Sequence, residues 1–409
     1  MRAILCERLE GPGGLRLVDL PSAPLGDGQV RIGNHAAGVN FPDLLMTEGK
    51  YQHMPVLPYI PGMECAGEII ETRSARFAIG DRVFAGMKSG AFAEETVIDA
   101  GVVFKLPEAM SYPDGATFRV GFKTAYHALV RQARVEAGEW VLVNGATGGV
   151  GMAAVALCQR LGARVIATGG RPEKLAAVKQ AGADHVIDLS SQDLRDTALE
   201  LTGGKGVEVV YDPVGGDVFV QSLRAARYGA RILIIGFASG AIPSVPINRY
   251  LIKGLHVFGV RAGESGRRNP GAGDEDTRAV LDLAKDGVLR PHISLRLPLE
   301  QAAQALEQMR DRRITGRGAD HPALVLLSHC AAPDFFAILL MVAIHVEPRS
   351  WHGSRRLRQP HDAICGVSGR FGERARRWAA CRPVDERLPW WTWPQTWPQT
   401  LRPPRKPLS

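Results

Sequence analysis

Close cysteine spacing is absent from the 409-residue sequence. Cys6, Cys65, Cys158, Cys330, Cys365 and Cys381 are scattered with no CxxC pair, which argues against a thioredoxin-like motif or a cysteine-rich zinc module. Long hydrophobic runs are lacking too. The longest apolar stretch, Phe335–Ile344, has ten residues, about half of what a membrane-spanning helix needs. The start, Met1-Arg2-Ala3-Ile4-Leu5-Cys6, reads as a strand rather than a charged-then-apolar leader. A reducing, cytoplasmic setting without membrane contact is the expectation. Tryptophan is scarce before residue 329, where Trp140 stands alone; Trp351, Trp378, Trp390, Trp391, Trp393 and Trp397 all lie beyond it.

An excess of positive charge is also missing from most of the chain. The formal net charge is +8, which by itself suggests a nucleic-acid or membrane surface. Residues 329–409, however, hold 12 Arg and 1 Lys against 6 acidic residues, leaving 37 basic and 36 acidic residues in 1–328. The body is nearly neutral. With 45% hydrophobic and 22% charged residues, the chain suits an ordinary globular core.

From Trp140 onward apolar runs alternate with helical patterns. Strands are expected at Trp140–Asn144, Arg164–Thr168, His185–Leu189, Val207–Asp212, Arg231–Ile235 and His256–Val260. Helices are expected at Met152–Leu161, Glu173–Gln180, Gln192–Leu201 and Asp217–Ala226. Such alternation predicts an α/β, doubly wound parallel sheet. The first 120 residues instead give short strand-like runs (Val30–Asn34, Glu68–Thr72, Arg82–Ala85, Thr96–Asp99) among Gly, Pro and Asp, a mostly β domain. Helical patterns return at Thr277–Lys285 and Glu300–Arg310 around a strand near His292–Leu297. The sequence permits, without requiring, that this last part packs with the β domain around an inserted doubly wound unit.

Gly145-Ala146-Thr147-Gly148-Gly149-Val150-Gly151 falls where a strand turns into a helix. Small residues there let a pyrophosphate approach the backbone, and the helix start offers free N–H groups. Isolated, the string is a weak signal; inside a strand–helix–strand pattern it is a strong one. The competing reading is a tight turn with close helix packing. The next strand ends Thr168-Gly169-Gly170-Arg171 without the acidic residue that usually binds a ribose 2′-hydroxyl. Arg171 and Lys174 are placed to neutralise a 2′-phosphate, so the expected cofactor is NADPH. Their competing reading is a solvated helix start.

Ala37-Gly38-Val39-Asn40-Phe41-Pro42-Asp43, Gly49-x-Tyr51, Pro61-Gly62-x-Glu64-x-Ala66-Gly67 and Gly80-Asp81-Arg82-Val83 then become informative together. They are followed by Thr124-Ala125-Tyr126-His127-Ala128-Leu129, Gly145–Gly151, Asp212-x-Val214-Gly215-Gly216, Gly236-Phe237-Ala238-Ser239-Gly240, Lys253-Gly254 and Thr315-Gly316-Arg317. In this order they resemble the medium-chain dehydrogenase/reductase family, in its zinc-independent, zeta-crystallin-like quinone oxidoreductase branch, over about residues 1–317. The resemblance implies a GroES-like β domain plus an inserted Rossmann domain, with the cofactor in the cleft between them. The expected divisions are 1–122 for the first part of the catalytic domain, 123–262 for the Rossmann domain and 263–328 for the part completing the catalytic domain. An irregular basic tail, disordered or the product of a shifted reading frame, is expected at 329–409. Edge pairing of Rossmann sheets near His256–Val260 is the implied route to a homodimer.

The resemblance also assigns residues. Asn40, Asp43 and Tyr51 match active-cleft positions: Asn40 to orient nicotinamide or substrate, Tyr51 to contact cofactor or give a proton. Asp43 equally fits a turn-forming Asp that takes backbone N–H groups, and Tyr51 equally fits simple packing. Thr124 matches a nicotinamide-carboxamide partner, or else a helix N-cap. Gly236, Phe237, Ala238, Val260 and Arg261 match the segments lining the nicotinamide pocket, with Ala146, Thr147, Gly148, Gly149, Val150, Gly169 and Gly170 around the phosphates. Leu189 stands where relatives commonly have Tyr, which removes one phosphate contact. His127 reads as a packed helical residue, and Cys65 and Cys158 as small core residues. Zinc-dependent relatives place ligands where Asn40, Met63 and Val120 stand here; none is a good zinc donor. No metal is expected. The implied activity is hydride transfer from NADPH to a quinone or enone, acceptors that need no Lewis acid. An enoyl-thioester reductase, or a non-enzymatic NADPH- or RNA-binding protein, is the alternative. Nucleic-acid binding is not expected of the body and stays open for the tail, whose Arg and Trp would suit single strands.

Overall fold

The computed structural model describes residues 1–287, 289–311 and 342–345. Short apolar runs in the first third form a β layer. Strands β1 (Arg2–Cys6) and β2 (Leu15–Asp19) pair with each other. Next come β3 (Gln29–Val39), helix α1 (Phe41–Thr47), β4 (Glu64–Thr72), β5 (Arg82–Gly86), β6 (Glu95–Asp99) and β7 (Val103–Lys105). The alternation in Val30–Asn34 understates β3, which runs on to Val39. Ala36, Ala37, Gly38 and Val39 are all buried, so no inside–outside pattern marks them. Gly38 allows the close crossing of helix α2 (Tyr112–Tyr126): a Cβ there would collide with the Ala116 carbonyl oxygen. Ser111 caps α2 from its hydroxyl and Asp114 answers at the third helical position. A π turn, His127–Gln132, extends the helix.

The doubly wound unit follows as β8 (Trp140–Val143), α3 (Gly149–Arg160), β9 (Arg164–Gly169), α4 (Pro172–Gln180), β10 (His185–Asp188) and α5 (Leu194–Leu201). It continues with β11 (Val207–Asp212), α6 (Gly216–Ala225), β12 (Ala226–Ile234), α7 (Asn248–Lys253) and β13 (His256–Gly259). All six strands are parallel, in the order β10-β9-β8-β11-β12-β13. The order reverses between β8 and β11, where a parallel open sheet leaves its ligand crevice. Val141, Val143, Val165, Ala167, Val209 and Tyr211 pack against α2 and α3 on one face. Leu142, Ile166, Val210 and Ile232 pack with Leu194, Phe219 and Leu223 on the other.

The chain then forms α8 (Ala262–Arg268), α9 (Pro270–Ala284), β14 (Leu295–Pro298) and α10 (Ala302–Arg310). Helix α9 starts seven residues before the expected Thr277, because Pro270-Gly271-Ala272-Gly273, loop-like in composition, is a helix start with Pro in its first turn. Strand β15 (Val342–His345) lies between β14 and β3, parallel to the first and antiparallel to the second. The seven-stranded sheet therefore joins both ends of the described chain around the doubly wound unit. The expected tail, 329–409, contains β15, and the expected 122/123 division falls inside α2. Ala323–Leu327 and Thr315-Gly316-Arg317 lie outside the described residues.

Candidate active site

The C-terminal ends of the parallel strands bring most of the expected cofactor residues together. After β8, Gly145 has a φ of +53° and hands the chain to Ala146, whose N–H donates to Thr168 O at 2.9 Å. Gly148 precedes the first turn of α3, leaving the N–H groups of Gly149, Val150 and Gly151 at the helix start. Gly151 sits so close to the turn that a Cβ would be 2.5 Å from the Gly145 carbonyl oxygen. Ala146 is fully buried, and a Cβ at Gly169 would be 3.1 Å from Thr147 Cγ2. The turn has the geometry that receives a pyrophosphate.

Beyond β9, Gly169 and Gly170 lead to Arg171, the N-cap of α4, and Pro172. Lys174 is buried rather than solvated, and its side chain makes no hydrogen bond or ion pair with a described residue. Burial pushes its ammonium down to about 8, with Arg171 acting in the same direction. An unpaired, buried ammonium beside a second cation suits a phosphate monoester. Leu189 is half-buried after β10 and supplies no polar group.

A buried polar cluster, unmarked in the sequence reading, supports the crevice between β8 and β11. Asn144 Nδ2 donates to Asp212 Oδ1 (3.0 Å) and Ser222 Oγ (2.8 Å), and Thr168 Oγ1 donates to Asn144 Oδ1 (3.3 Å). Asp212 also accepts the N–H groups of Gly215 (3.0 Å) and Val214 (3.3 Å). One carboxylate thus ties the turn after β8 to the loop after β11. That loop in turn holds the next: Ala238 N–H donates to Pro213 O and Ser239 N–H to Val214 O, each at 2.9 Å. Gly236, Phe237 and Ala238 are positioned this way. Val260 N–H donates to Ile234 O at 2.9 Å and sets Val260 and exposed Arg261 beside them. Thr124 lies in the interior of α2, which removes the N-cap alternative.

Asn40 and Asp43 adjoin in the catalytic domain. Asn40 N–H donates to Asp43 Oδ2 at 2.9 Å, closing the first turn of α1, while Asp43 Oδ1 is buried without a partner. The backbone-binding geometry considered for Asp43 is therefore present. Asn40 Nδ2 donates to Glu64 Oε1 at 3.0 Å, and Val120 N–H donates to Glu64 Oε2 at 3.0 Å. Burial pushes Asp43 up to about 8 and Glu64 up to about 7. Glu64 was missed as a site residue although its motif was legible: only tertiary burial distinguishes it from a surface acid. Tyr51, like Met63, packs against the buried cluster of Cys6, Met46 and Tyr59. Burial raises its phenol pKa, against the opposing fields of Arg261 and Arg267.

The metal question has a local answer. At Asn40, Met63 and Val120 the chain presents an amide, a thioether and a main-chain N–H, and the first and last converge on Glu64. This donor set does not fit zinc. Among the described residues, no group of three His, Cys, Asp or Glu is arranged to hold an ion. No helix among them is long and apolar enough to cross a membrane.

Two family models match: an alcohol dehydrogenase GroES-like domain over residues 26–108 and a zinc-binding dehydrogenase over residues 149–286. The second description names a metal that the residues here do not accommodate. The chain is 35% identical over 319 residues to quinone oxidoreductase-like protein 2 of Mus musculus, covering 77% of this chain and 91% of that protein. It is 32% identical over 332 residues to quinone oxidoreductase of Homo sapiens, covering 80% and 98%. Among solved structures, Escherichia coli quinone oxidoreductase complexed with NADPH superposes with a TM-score of 0.71 at 28% identity, covering 80% of this chain and 100% of that one. Its parallel sheet, its glycine turn and the extent of these likenesses lead to one conclusion: the chain belongs to the medium-chain dehydrogenase/reductase family, in the quinone oxidoreductase branch.

Proposed function

We propose that the protein is an NADPH-dependent reductase whose acceptor is a quinone or another conjugated carbonyl. The observation that carries the cofactor reading is buried Lys174, which makes no hydrogen bond or ion pair with a described residue, beside Arg171, beyond a strand end with no acidic residue. Bound NADPH would supply a hydride, and with one proton from solvent the acceptor would become the hydroquinone or saturated carbonyl. The chain's part is to hold and orient. Gly148, Gly149 and Val150 offer the helix start to the pyrophosphate, with Ala146 and Thr147 forming the turn's wall. Gly169, Gly170, Arg171 and Lys174 surround the adenosine phosphate. Thr124, Gly236, Phe237, Ala238, Val260 and Arg261 frame the nicotinamide. Asn40, held by Glu64, and Tyr51 face the acceptor, and Asp43 fixes Asn40. Exclusion of water and positioning are the catalytic contributions this arrangement supports.

Stopped-flow loss of NADPH absorbance with a panel of quinones and enones tests the reading. Turnover with NADPH preferred over NADH is expected; tight NADPH binding with no acceptor reduced would overturn it in favour of a non-enzymatic NADPH-binding protein. The buried free cysteines Cys6, Cys65 and Cys158 support a reducing, cytoplasmic location. Homodimer formation through β13 is supported by its position at the sheet edge and by exposed Ile247, Leu251 and Ile252 on and beside α7. The domain division that goes with this reading is a catalytic part holding β1 to β7 with β14 and β15, around a Rossmann unit of β8 to β13, with α2 running across the expected 122/123 division.

A further inference from the structure

The crevice between β8 and β11 is floored by Asn144, Thr168, Asp212 and Ser222, each fully buried. Asp212 is the last residue of β11. Each of its side-chain hydrogen bonds with described residues is one it accepts: from Asn144 Nδ2, from Gly215 N–H and from Val214 N–H. A buried carboxyl group is costly unless donors surround it. Here donors on two sides, the floor and the turn above, fix where it can lie.

The two ends of the crevice are held differently. The glycine turn after β8 has main-chain bonds of its own. Asn144 N–H donates to Tyr211 O at 3.0 Å, Ala146 N–H to Thr168 O at 2.9 Å and Gly148 N–H to Gly145 O at 2.9 Å. The loops after β11 and β12 instead hold each other. Gly216 N–H donates to Ala241 O at 3.0 Å, alongside the bonds from Ala238 and Ser239 to Pro213 and Val214. They also pack closely, since a Cβ at Gly215 would be 2.8 Å from both Phe237 Cδ1 and the Ala241 carbonyl oxygen. Asp212 fastens this pair of loops to the sheet. Its side chain takes Val214 and Gly215, and its carbonyl oxygen accepts from Ile235 N–H at 2.9 Å and Gly236 N–H at 3.4 Å. Val214 in turn stands against the glycine turn, 2.7 Å from where a Cβ of Gly145 would be.

We infer that Asp212 is a positioning residue for hydride transfer: by fixing residues 213–216 it sets residues 236–238 and, through them, the nicotinamide ring against the acceptor. The inference rests on the reading of NADPH as hydride donor with residues 236–238 at its nicotinamide. The phosphate contacts at the glycine turn and at Lys174 have supports of their own and do not depend on it.

Single-turnover stopped-flow reduction of a quinone, with NADPH and with NADPH deuterated at nicotinamide C4, reads the transfer step. Titration with adenosine 2′,5′-bisphosphate, which lacks the nicotinamide, reads the other half of the site. Asp212→Ala is expected to slow hydride transfer by about tenfold or more, since a misplacement on the order of 1 Å costs about a hundredfold. The isotope effect should persist, and bisphosphate affinity should change by less than about twofold. Asp212→Asn should recover most of the rate. Its amide oxygen can still accept from Gly215, and with the Asn144 amide turned over its nitrogen can donate to Asn144. Gly215→Ala pushes on Phe237 without altering the buried cluster and should show the same split, so it decides the matter where Asp212→Ala does not fold. An unchanged transfer rate in the folded variant, or parallel losses of rate and bisphosphate affinity, overturns the inference. The fluorescence lifetime of bound NADPH reads nicotinamide restraint without turnover and should shorten in Asp212→Ala and Gly215→Ala. If no quinone is reduced by any of the proteins, the reductase reading fails and the lifetimes alone decide the positioning: shorter ones support it, and equal ones overturn it.

Discussion

Lys174 and Asp43 show how burial converts ordinary residues into chemically specific ones. A buried ammonium that makes no hydrogen bond or ion pair with a described residue should discriminate NADPH from NADH through its charge. Lys174→Met is expected to weaken NADPH binding by about 10-fold, on the order of 1–2 kcal/mol, and to leave NADH affinity nearly unchanged. Fluorescence titration of both coenzymes checks this. The wild-type preference should hold below about pH 8 and decline above it, because Lys174 is pushed down to about 8. The carboxyls act in the opposite sense. Asp43 and Glu64 are pushed up to about 8 and about 7, whereas an unfolded chain releases these protons near pH 4. Their protonated forms therefore support the fold fully below about pH 4, and that support is lost as pH rises through about 7 to 8. Asp43→Asn should flatten this decline by on the order of 1–2 kcal/mol, measured by urea unfolding at pH 5 and pH 8.5. The sequence exposed both residue types and, through the missing acid after Thr168, one of the meanings. It did not expose Glu64, because a single acid in a glycine-rich string has the same local pattern whether buried or solvated.

Elements of strong periodicity were legible to within a few residues, as in β11, expected and found at Val207–Asp212. Elements whose residues are buried all round were not. Helix α2 has seven buried residues from Pro113 to Phe122 besides a half-exposed few, and its Gly115 and Gly121 suggest a turn. The glycine turn was readable because its residues must be small for a backbone reason. Gly151→Val should therefore be more damaging than its size suggests: the new Cβ would be 2.5 Å from the Gly145 carbonyl oxygen and force α3 away from β8. A loss of about 2–4 kcal/mol in stability, with NADPH binding abolished, is expected from differential scanning calorimetry and titration. At the opposite side of the same sheet, Ile247→Lys with Leu251→Lys should, on the proposed homodimer, lower the mass in light scattering from two chains to one without changing the far-UV spectrum; a single-chain mass in the unsubstituted protein would remove the proposal. Both side chains are about 80% exposed, at 80% and 81%, so the folded monomer loses nothing by their replacement.

Across the whole molecule, charge and architecture divide at different places. The charge excess belongs to residues 329–409, yet β15 within that stretch completes the catalytic sheet between β14 and β3. Composition could identify the change in character there but not which four residues return to the sheet, because strand pairing at long range leaves no local trace. A chain ending at Pro348 should unfold at a higher temperature than one ending at Leu327, by several degrees, since only the first retains β15. Equal melting temperatures would remove β15 from the stability of the sheet. The same strand has a consequence for synthesis on the ribosome. All six strands of the cofactor-binding sheet are contiguous between Trp140 and Gly259 and can assemble as soon as that stretch emerges. The seven-stranded sheet must wait for Val342–His345, the last strand among the described residues to be translated, before β3 gains this neighbour. The nascent enzyme is thus ready to hold its coenzyme before it has closed the place where the coenzyme is used.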